Sequence, residues 1–359
     1  MRHLRPAPSR ERLLRLSLSF AIAAALAAVT PAVPLAAQPA SRARYLMGTV
    51  CEGTAYGDQA GPALDAAFDE IARLEGILSD YRDDSELSRF NHHAAPAPFP
   101  CSADLYDFLA VSARLSALTG GAFDPTVAPL IQVWDLRGSG RIPSDQELGD
   151  ARRRVGMPLL TLDSASRSAR FGRAGMALDP GAIGKGYALD AAARVLRARG
   201  VTTALLDFGG QVLALGAPPG AEAWTVEIAH PLHREQPALT LRLRDASAST
   251  SGNSARGVRA GGRLLGHIVD PRTGRPTETT GSVTVVAPGA TEADALSTAL
   301  LVMGAEEGLR WADGAPHVSA VFLMPGGTSG LRVASSRAFV NDNPAGMVRA
   351  GDQHHGGNR

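Results

Sequence analysis

Two periodicities of hydrophobic residues alternate along this chain, one typical of helices and one typical of strands. Apolar side chains three and four positions apart predict helices over residues 62–78, 104–119, 188–199 and 292–303. Because the strand-like runs cluster and helix–strand–helix units are few, we predict an α+β fold with mixed, largely antiparallel sheets packed with helices. The predicted strands cover residues 45–56, 201–208, 211–215, 224–229, 238–243, 263–269, 281–287, 317–324 and 331–334.

Polar or proline-containing stretches separate these elements. Residues 78–91 predict a loop with a short helical turn, and residues 136–146 predict a surface loop. Pro125 and Pro129 exclude one regular helix over residues 122–130, because each proline lacks the backbone N–H that a helix interior needs.

The N-terminus has the composition of a secretory signal. Five arginines precede an apolar run over residues 16–29, and small residues follow up to Ala37. We expect cleavage after Ala37 and an exported, periplasmic, soluble protein, since the run is short for a membrane span. No cysteine stands at the cleavage site, which argues against a lipid anchor. Residues 38–348 are then expected to form the folded domain, as one body or two lobes, followed by a disordered tail over residues 349–359.

Charge and cysteine content narrow the possible functions. Without residues 1–37 the chain keeps 31 basic and 34 acidic residues, a net charge near −3, with no basic block suited to nucleic acid. Cys51 and Cys101 are the only cysteines, so a thiolate-rich zinc site is excluded. Two alternatives stay open for them, a disulfide in an oxidising compartment or two buried thiols.

A glycine-rich segment over residues 176–190 is the strongest candidate for chemistry. Asp179 and Pro180 have the pattern of a helix start, with an N-cap acceptor and a proline at the first helical position. The glycines that follow suggest close approach to the backbone, and a helix N-terminus with bare amides favours a phosphate. Lys185 is the only lysine in a chain that otherwise uses arginine. The alternative is a tightly packed turn with no ligand.

Two further clusters lie near the C-terminal end of the chain. Thr291 predicts a helix cap, and Asp294 and Thr298 fall one helical turn apart on one face. Their hard oxygen atoms suit Mg²⁺, although a solvated polar face with a local hydrogen bond would also explain them. His267 is predicted on the face of a strand, where it is either structural or a base. Residues 249–253 predict a small-residue loop beside it.

Taken together, these segments resemble one family, the FAD:protein FMN transferases (the ApbE family). Eight collinear stretches carry the similarity, and this order is hard to obtain by chance. The sequence departs from the family pattern at Phe208 and Gly266, which bear on packing and on the acceptor groove. The eight stretches are residues 47–49, 81–91, 122–124, 179–187, 207–210, 250–253, 267–274 and 293–298.

The resemblance implies an ApbE-like flavin transferase fold and a role for each matched residue. Such enzymes use Mg²⁺ to move the FMN half of FAD to a Ser or Thr hydroxyl of an acceptor protein, releasing AMP, and the implied acceptors are membrane electron-transfer subunits. Mg²⁺ would be held by Asp294, Thr298 and the carbonyl of Ala182, with Ser297 adjacent, and His267 would be the base. The implied FAD site comprises Met47, Tyr81, Ala122, Phe123, Asp124, Asp179, Lys185 and Ile268.

Two other functions fit the same residues. With water as the acceptor, the site would cleave FAD to FMN and AMP as a pyrophosphatase. Without turnover, the protein would be a periplasmic flavin-binding protein. Analysis of the products with and without an acceptor protein separates these functions.

Overall fold

The computed structural model describes residues 38–93, 95–253, 257–278, 281–326 and 330–342. The described residues from Pro39 onward pack as one compact unit. In this part of the chain, no helix is both long and apolar enough to cross a bilayer. The predicted signal segment and C-terminal tail lie outside the described residues.

An eight-stranded sheet with the order β1-β2-β6-β7-β10-β15-β16-β17 forms the centre of the fold, and each neighbouring pair is antiparallel. Smaller sheets join β3-β5-β4, β8-β9, β11-β12 and β13-β14. The strands are β1 (Ala40–Leu46), β2 (Thr49–Tyr56), β3 (Phe99–Pro100), β4 (Leu160–Asp163), β5 (Ser168–Phe171), β6 (Thr203–Phe208), β7 (Gln211–Leu215), β8 (Trp224–Ala229), β9 (Pro237–Leu243), β10 (Ala246–Gly252), β11 (Gly257–Ala260), β12 (Arg263–Gly266), β13 (Val269–Asp270), β14 (Arg275–Pro276), β15 (Ser282–Ala287), β16 (Ser319–Pro325) and β17 (Leu331–Ser335).

Helices cover one face of this sheet, and the β8–β9 hairpin covers the other. Strand β7 is buried along its whole length, because its side chains pack against both layers. Leu213 and Leu215 pack with α1 and α6, while Val212 and Ala214 pack with the hairpin. The period of two along a strand therefore builds two hydrophobic cores. The helices are α1 (Ala60–Leu78), α2 (Glu86–His92), α3 (Ala103–Leu118), α4 (Ala128–Val133), α5 (Asp145–Arg152), α6 (Gly184–Ala198), α7 (Ala290–Asp313) and α8 (Arg337–Asp342).

Several predicted elements differ from the structure, and one of them, the predicted strand over residues 263–269, is divided into β12 and β13 by His267 and Ile268. Residues 45–56 are not one strand, because Met47 and Gly48 have φ of 44° and 77° and turn the chain into the β1–β2 hairpin. Residues 249–253 are not a loop, because most of them belong to β10 in the middle of the sheet. Helix α7 continues past its predicted end at residue 303, although Gly304 at φ 80° and ψ 171° interrupts it there.

The proline-containing segment follows the sequence expectation in part. A 3₁₀ turn over Pro125–Val127 is followed at once by α4, so two short helices replace one regular helix. Each proline lies in the first turn of its own helix, where a missing N–H costs little.

Candidate active site

Helices α6 and α7 cross at Gly186, and this contact brings the two main sequence motifs together. The Gly186 amide donates to Asp294 Oδ2 at 3.0 Å. A side chain at position 186 would collide with the Ala290 carbonyl and lie 2.8 Å from Asp294 Cβ. Lys185 Nζ lies 3.8 Å from Asp294 Oδ1. Only glycine permits this approach, so Gly186 places the lysine beside the carboxylate.

A carboxylate from α6 caps the start of α7. The amides of Ala290 and Thr291 donate to Asp190 at 2.8 and 2.9 Å, and the Thr291 hydroxyl donates to the same carboxylate at 2.5 Å. The N-cap itself is Gly289, which has no side chain to offer. The prediction that Thr291 caps the helix is therefore wrong, because the cap comes from a neighbouring helix.

Strand β10 faces Asp294 with a row of serine hydroxyls. Ser249 Oγ donates to Asp294 Oδ1 at 3.4 Å and accepts from Ser297 Oγ at 3.3 Å. Ser251 Oγ lies 2.8 Å from Ser297 Oγ and 3.3 Å from Thr298 Oγ1. We call Ser249, Ser251, Asp294, Ser297 and Thr298 the hydroxyl cluster. It consists of short side chains on regular elements, so its geometry is fixed by the fold.

The hydroxyl cluster fits a hard divalent cation. Its polar side chains offer one carboxylate and four hydroxyls, all of them the oxygen donors that Mg²⁺ prefers. Asp294 is 4% exposed, so its charge needs a partner. Within the described residues, no three His, Cys, Asp or Glu side chains gather into a metal site. Further ligands would therefore come from a backbone carbonyl, for which Ala182 is the predicted residue, and from phosphate oxygens.

A separate turn precedes α6, and it changes the predicted helix start. The amides of Ile183 and Gly184 donate to the Pro180 carbonyl at 3.1 and 2.7 Å. Ile183 is non-helical, with φ −150° and ψ −22°, so α6 begins at Gly184 and not at Pro180. Asp179 still accepts from the Gly181 amide at 2.7 Å, but it orders this turn rather than the helix. Ala182 lies half-buried within the turn.

An arginine joins two carboxylates beside an exposed aromatic ring. Arg137 Nη2 donates to Asp179 Oδ2 at 2.5 Å and to Asp80 Oδ2. Its guanidinium carbon lies 4.4 Å from the ring centroid of Tyr81, a side chain that is 78% exposed. We call Asp80, Tyr81, Arg137 and Asp179 the arginine cluster. Both carboxylates are mostly buried, and burial together with the charge of Asp179 raises the pKa of Asp80 against the opposing effect of Arg137.

The side chain of Asp124 is used inside the protein. Its two oxygens accept from the Thr126 amide and hydroxyl at 2.8 and 2.6 Å and from the Met157 amide at 2.8 Å. Burial raises its pKa. The Asp179 amide donates to the neighbouring Pro125 carbonyl at 2.7 Å. Asp124 therefore orders the segment to which the Asp179 amide is hydrogen-bonded.

The predicted residues Ala122, Phe123, Ala182 and Ile268 share one hydrophobic cluster, in which Ala122 and Phe123 are each 1% exposed. Ala182 and Ile268 are partly buried against this cluster, which also contains Ile183 and residues of α7. Met47 lies apart from them in the β1–β2 turn and packs against the core between α1 and α6.

His267 lies half-buried at a bend just after β12, not on the strand as predicted. A side chain at the preceding Gly266 would come within 2.5 Å of the Asn253 side chain. Asn253 Nδ2 in turn donates to the Thr277 hydroxyl at 2.7 Å, and the Thr277 amide donates to the Ile268 carbonyl at 2.8 Å. The departure from the family pattern at Gly266 thus has a packing reason, because Asn253 fills the space beside it.

Comparison with known proteins decides what kind of protein has this site. The ApbE family model matches residues 47–322. This chain belongs to the ApbE family. A FAD:protein FMN transferase of Treponema pallidum (strain Nichols) is 35% identical over 322 residues, covering 84% of this chain and 88% of that protein. Another, from Escherichia coli (strain K12), is 34% identical over 238 residues, covering 64% and 68%.

Solved ApbE structures have the same fold. A Vibrio cholerae flavin transferase ApbE matches with a TM-score of 0.74 and 28% identity, covering 85% of this chain and 99% of that one. The apo form of a Pseudomonas stutzeri flavinyl transferase ApbE matches with a TM-score of 0.76 and 30% identity, covering 85% and 96%. The predicted family, the α+β fold and the transferase class are therefore confirmed.

Several residues of this ApbE site were not found from the sequence. The pattern Ala-Ser-Ala-Ser-Thr-Ser over residues 246–251 places serines at every second position, which is a strand signal that could have revealed Ser249. No local signal marks Arg137 or Asp80. The two cysteines are free and buried, and burial raises the pKa of Cys51 to about 12 and of Cys101 to about 11. Of the two alternatives for the cysteines, the structure shows the free thiols.

Proposed function

We propose that this protein is a Mg²⁺-dependent FAD:protein FMN transferase that attaches FMN to a Thr or Ser hydroxyl of an acceptor protein and releases AMP. Family membership and the names of the relatives support the transfer of FMN from FAD to protein. The observation that carries the proposal is the contact of Gly186 and Lys185 with Asp294. In this contact the Lys185 ammonium lies beside Asp294 of the hydroxyl cluster, which supports the binding of a diphosphate from two sides.

The reaction that we propose conserves atoms and charge in one displacement. The acceptor hydroxyl oxygen forms a bond to the phosphorus of the FMN half, and the bond from that phosphorus to the AMP oxygen breaks. AMP leaves with the electron pair. His267 accepts the proton of the hydroxyl, a role that contributes about 10²–10⁴-fold to the rate of such reactions.

Residues around the diphosphate would bind and orient it. Lys185, 29% exposed at its side chain, can leave Asp294 and pair with a phosphate oxygen. Asp294 and Thr298, with Ser297 beside them and the Ala182 carbonyl, would hold Mg²⁺. When bound, Mg²⁺ neutralises phosphate oxygens and polarises the phosphorus–oxygen bond. The remaining predicted FAD residues are Met47, Tyr81, Ala122, Phe123, Asp124, Asp179 and Ile268.

The proposal includes export and a membrane-associated acceptor. The composition of residues 1–37 supports export of the folded domain, with cleavage after Ala37. Membrane-associated electron-transfer subunits that carry a covalent flavin on a Thr or Ser are the acceptors that the family resemblance implies. The N-terminal residue of the protein from a periplasmic fraction tests the first point, since Gln38 is expected there.

The decisive experiment incubates the protein with FAD, MgCl₂ and an acceptor domain that carries a candidate Thr. We expect the intact mass of the acceptor to rise by the mass of one FMN less one water. One AMP should be released per modified acceptor. Chelation of Mg²⁺ should stop both. Free FMN and AMP with an unmodified acceptor would instead identify a pyrophosphatase, and bound FAD without AMP would identify a flavin-binding protein.

A further inference from the structure

Arg137 touches three groups of the arginine cluster with one guanidinium. It lies between α4 and α5, in a segment to which neither the motifs nor the catalytic proposal assigns a role. Its Nη2 donates to Asp179 at 2.5 Å and also to Asp80, and its guanidinium lies 4.4 Å from the Tyr81 ring centroid. The planar, forked guanidinium is suited to such combined contacts, since it can stack and donate at once.

The two carboxylates depend on this arginine for their charge balance. Asp80 and Asp179 each have side chains that are only 11% exposed, and both bond to the same nitrogen of Arg137. Burial works against the charged guanidinium, but the charges of Asp179 and Asp80 outweigh it, so the pKa of Arg137 is raised. Removal of Arg137 would leave two like charges close together and largely out of water, which is costly.

The Tyr81 ring projects into solvent, and Arg137 is the neighbour that can fix its position. The side chain is 78% exposed, and the guanidinium stacked on it is its cation–π contact. A ring held in this way presents its remaining surface to solvent, ready to stack with a planar group. Aromatic side chains serve as such platforms because every base has a π face.

Asp179 connects Arg137 to the turn before α6, where the diphosphate is proposed to bind. Its Oδ1 accepts from the Gly181 amide at 2.7 Å, and its own amide is held by the Pro125 carbonyl at 2.7 Å. The turn that it orders leads directly into α6, with Lys185 in the first helical turn. One side chain therefore contacts both a ring platform and the turn before the phosphate-binding helix start.

From this juxtaposition we propose that Arg137 is a positioning residue for the dinucleotide, fixing Tyr81 for stacking with a ring of FAD and Asp179 for the turn beside the diphosphate. The proposal rests on the proposed function, because it takes FAD as the ligand. It assigns to Arg137 an effect on FAD affinity and only a small effect on the chemical step.

The test compares Arg137→Ala, Arg137→Lys and Arg137→Ala combined with Asp80→Asn. FAD binding is measured directly by flavin fluorescence, and KM and kcat are measured with an acceptor. We expect Arg137→Ala to weaken FAD binding at least about tenfold, the scale of a charged hydrogen bond, with kcat changed less than about threefold. Arg137→Lys keeps the charge and should be intermediate. The double variant should regain part of the affinity, because one of the two uncompensated charges is gone.

Arg82→Ala is the matched control. Arg82 is the sequence neighbour of Tyr81, and it pairs with Asp84, whose side chain is 73% exposed. Its removal should leave the FAD affinity within about twofold, since exposed pairs contribute little. Titrations of each variant with FMN and with ADP show which ring stacks on Tyr81, and a loss for either fragment supports the proposal.

Unchanged or tighter FAD binding by Arg137→Ala would overturn the proposal, because the guanidinium would then be dispensable or would occupy the place of the ring. The same holds if kcat falls while FAD affinity stays. Should Arg137→Ala fail to fold, the lysine and double variants decide by the same criterion. Failure of the transferase proposal is seen separately, in the wild-type protein, as an acceptor that gains no mass.

Discussion

The hydroxyl cluster and the arginine cluster lie at two ends of one glycine-rich segment, and they are built in different ways. All five members of the hydroxyl cluster are on regular elements, and hydrogen bonds between short side chains join them. The arginine cluster lies outside the helices and strands and depends on one long side chain, that of Arg137, with Tyr81 mostly in solvent. A cation tolerates little misplacement of its ligands, whereas a flat ring tolerates more. The hydroxyl cluster can therefore be rigid before any ligand binds, whereas the arginine cluster need not be.

The largest effect is expected at a residue that belongs to neither cluster. His267→Ala should lower FMN transfer by about 10²–10⁴-fold, because the acceptor hydroxyl loses its base, while FAD binding stays largely intact. Acceptor mass at fixed times and flavin fluorescence measure the two quantities. The exposed His317 provides the control, since its alanine variant should transfer at the wild-type rate. Retained transfer by His267→Ala would remove the histidine from the mechanism.

Asp294→Asn tests the rigid end next. The amide cannot supply the negative charge that a divalent cation needs, so we expect the Mg²⁺ concentration for half-maximal transfer to rise about 10–100-fold. FAD affinity at saturating Mg²⁺ should change far less. A variant of Arg137 is expected to show the opposite pattern, which sharpens the contrast between the clusters. If Asp294→Asn is fully active without extra Mg²⁺, the metal assignment is wrong.

Gly186→Ala tests the contact that holds the two motifs together. An added Cβ would collide with the Ala290 carbonyl, so the helices must separate. We expect a loss of about 1–3 kcal/mol in the free energy of unfolding, measured with denaturant. At Gly184, two residues earlier in the same helix, an added Cβ would meet only Pro180 Cβ at 3.5 Å. Gly184→Ala should therefore be neutral or stabilising by up to about 1 kcal/mol.

These glycines also show how far the sequence predicts the site. The sequence indicates that the backbone is approached closely near residues 181–186, and the structure shows such an approach at Gly186. It does not indicate by what, because the partner of Gly186 is a carbonyl about a hundred residues away in the chain. Among the described elements, local patterns predict the four longest helices and every strand of the eight-stranded sheet except β10 and most of β1, since each follows from the spacing of nearby side chains.

Residues that act through tertiary contacts could not be predicted in this way. Asp124 matches a family motif, yet only the structure shows that its oxygens bond Thr126 and the Met157 amide. Asp190 replaces a local cap of α7 from a neighbouring helix. Arg137 lies in a predicted surface loop, and its partners Asp80 and Asp179 are distant in sequence. The small residues of β10 suggested a loop. Composition alone does not show that this segment lies between two neighbouring strands.

The smallest effect is expected for two serines of β10. The hydroxyl of one is proposed to act at the Mg²⁺ site, and the hydroxyl of the other has a structural role. Ser247, Ser249 and Ser251 alternate along β10 and so share one face. Ser251 bonds Ser297 and Thr298, whereas Ser247 donates to the Val212 carbonyl at 2.8 Å. Ser251→Ala should raise the Mg²⁺ requirement about 2–10-fold, the scale of one net hydrogen bond, with little change in stability. Ser247→Ala should do the reverse, lowering the free energy of unfolding without altering the Mg²⁺ titration. If the two variants behave alike, the hydroxyl cluster is only a packing feature, and its distinction from the arginine cluster loses its chemical meaning.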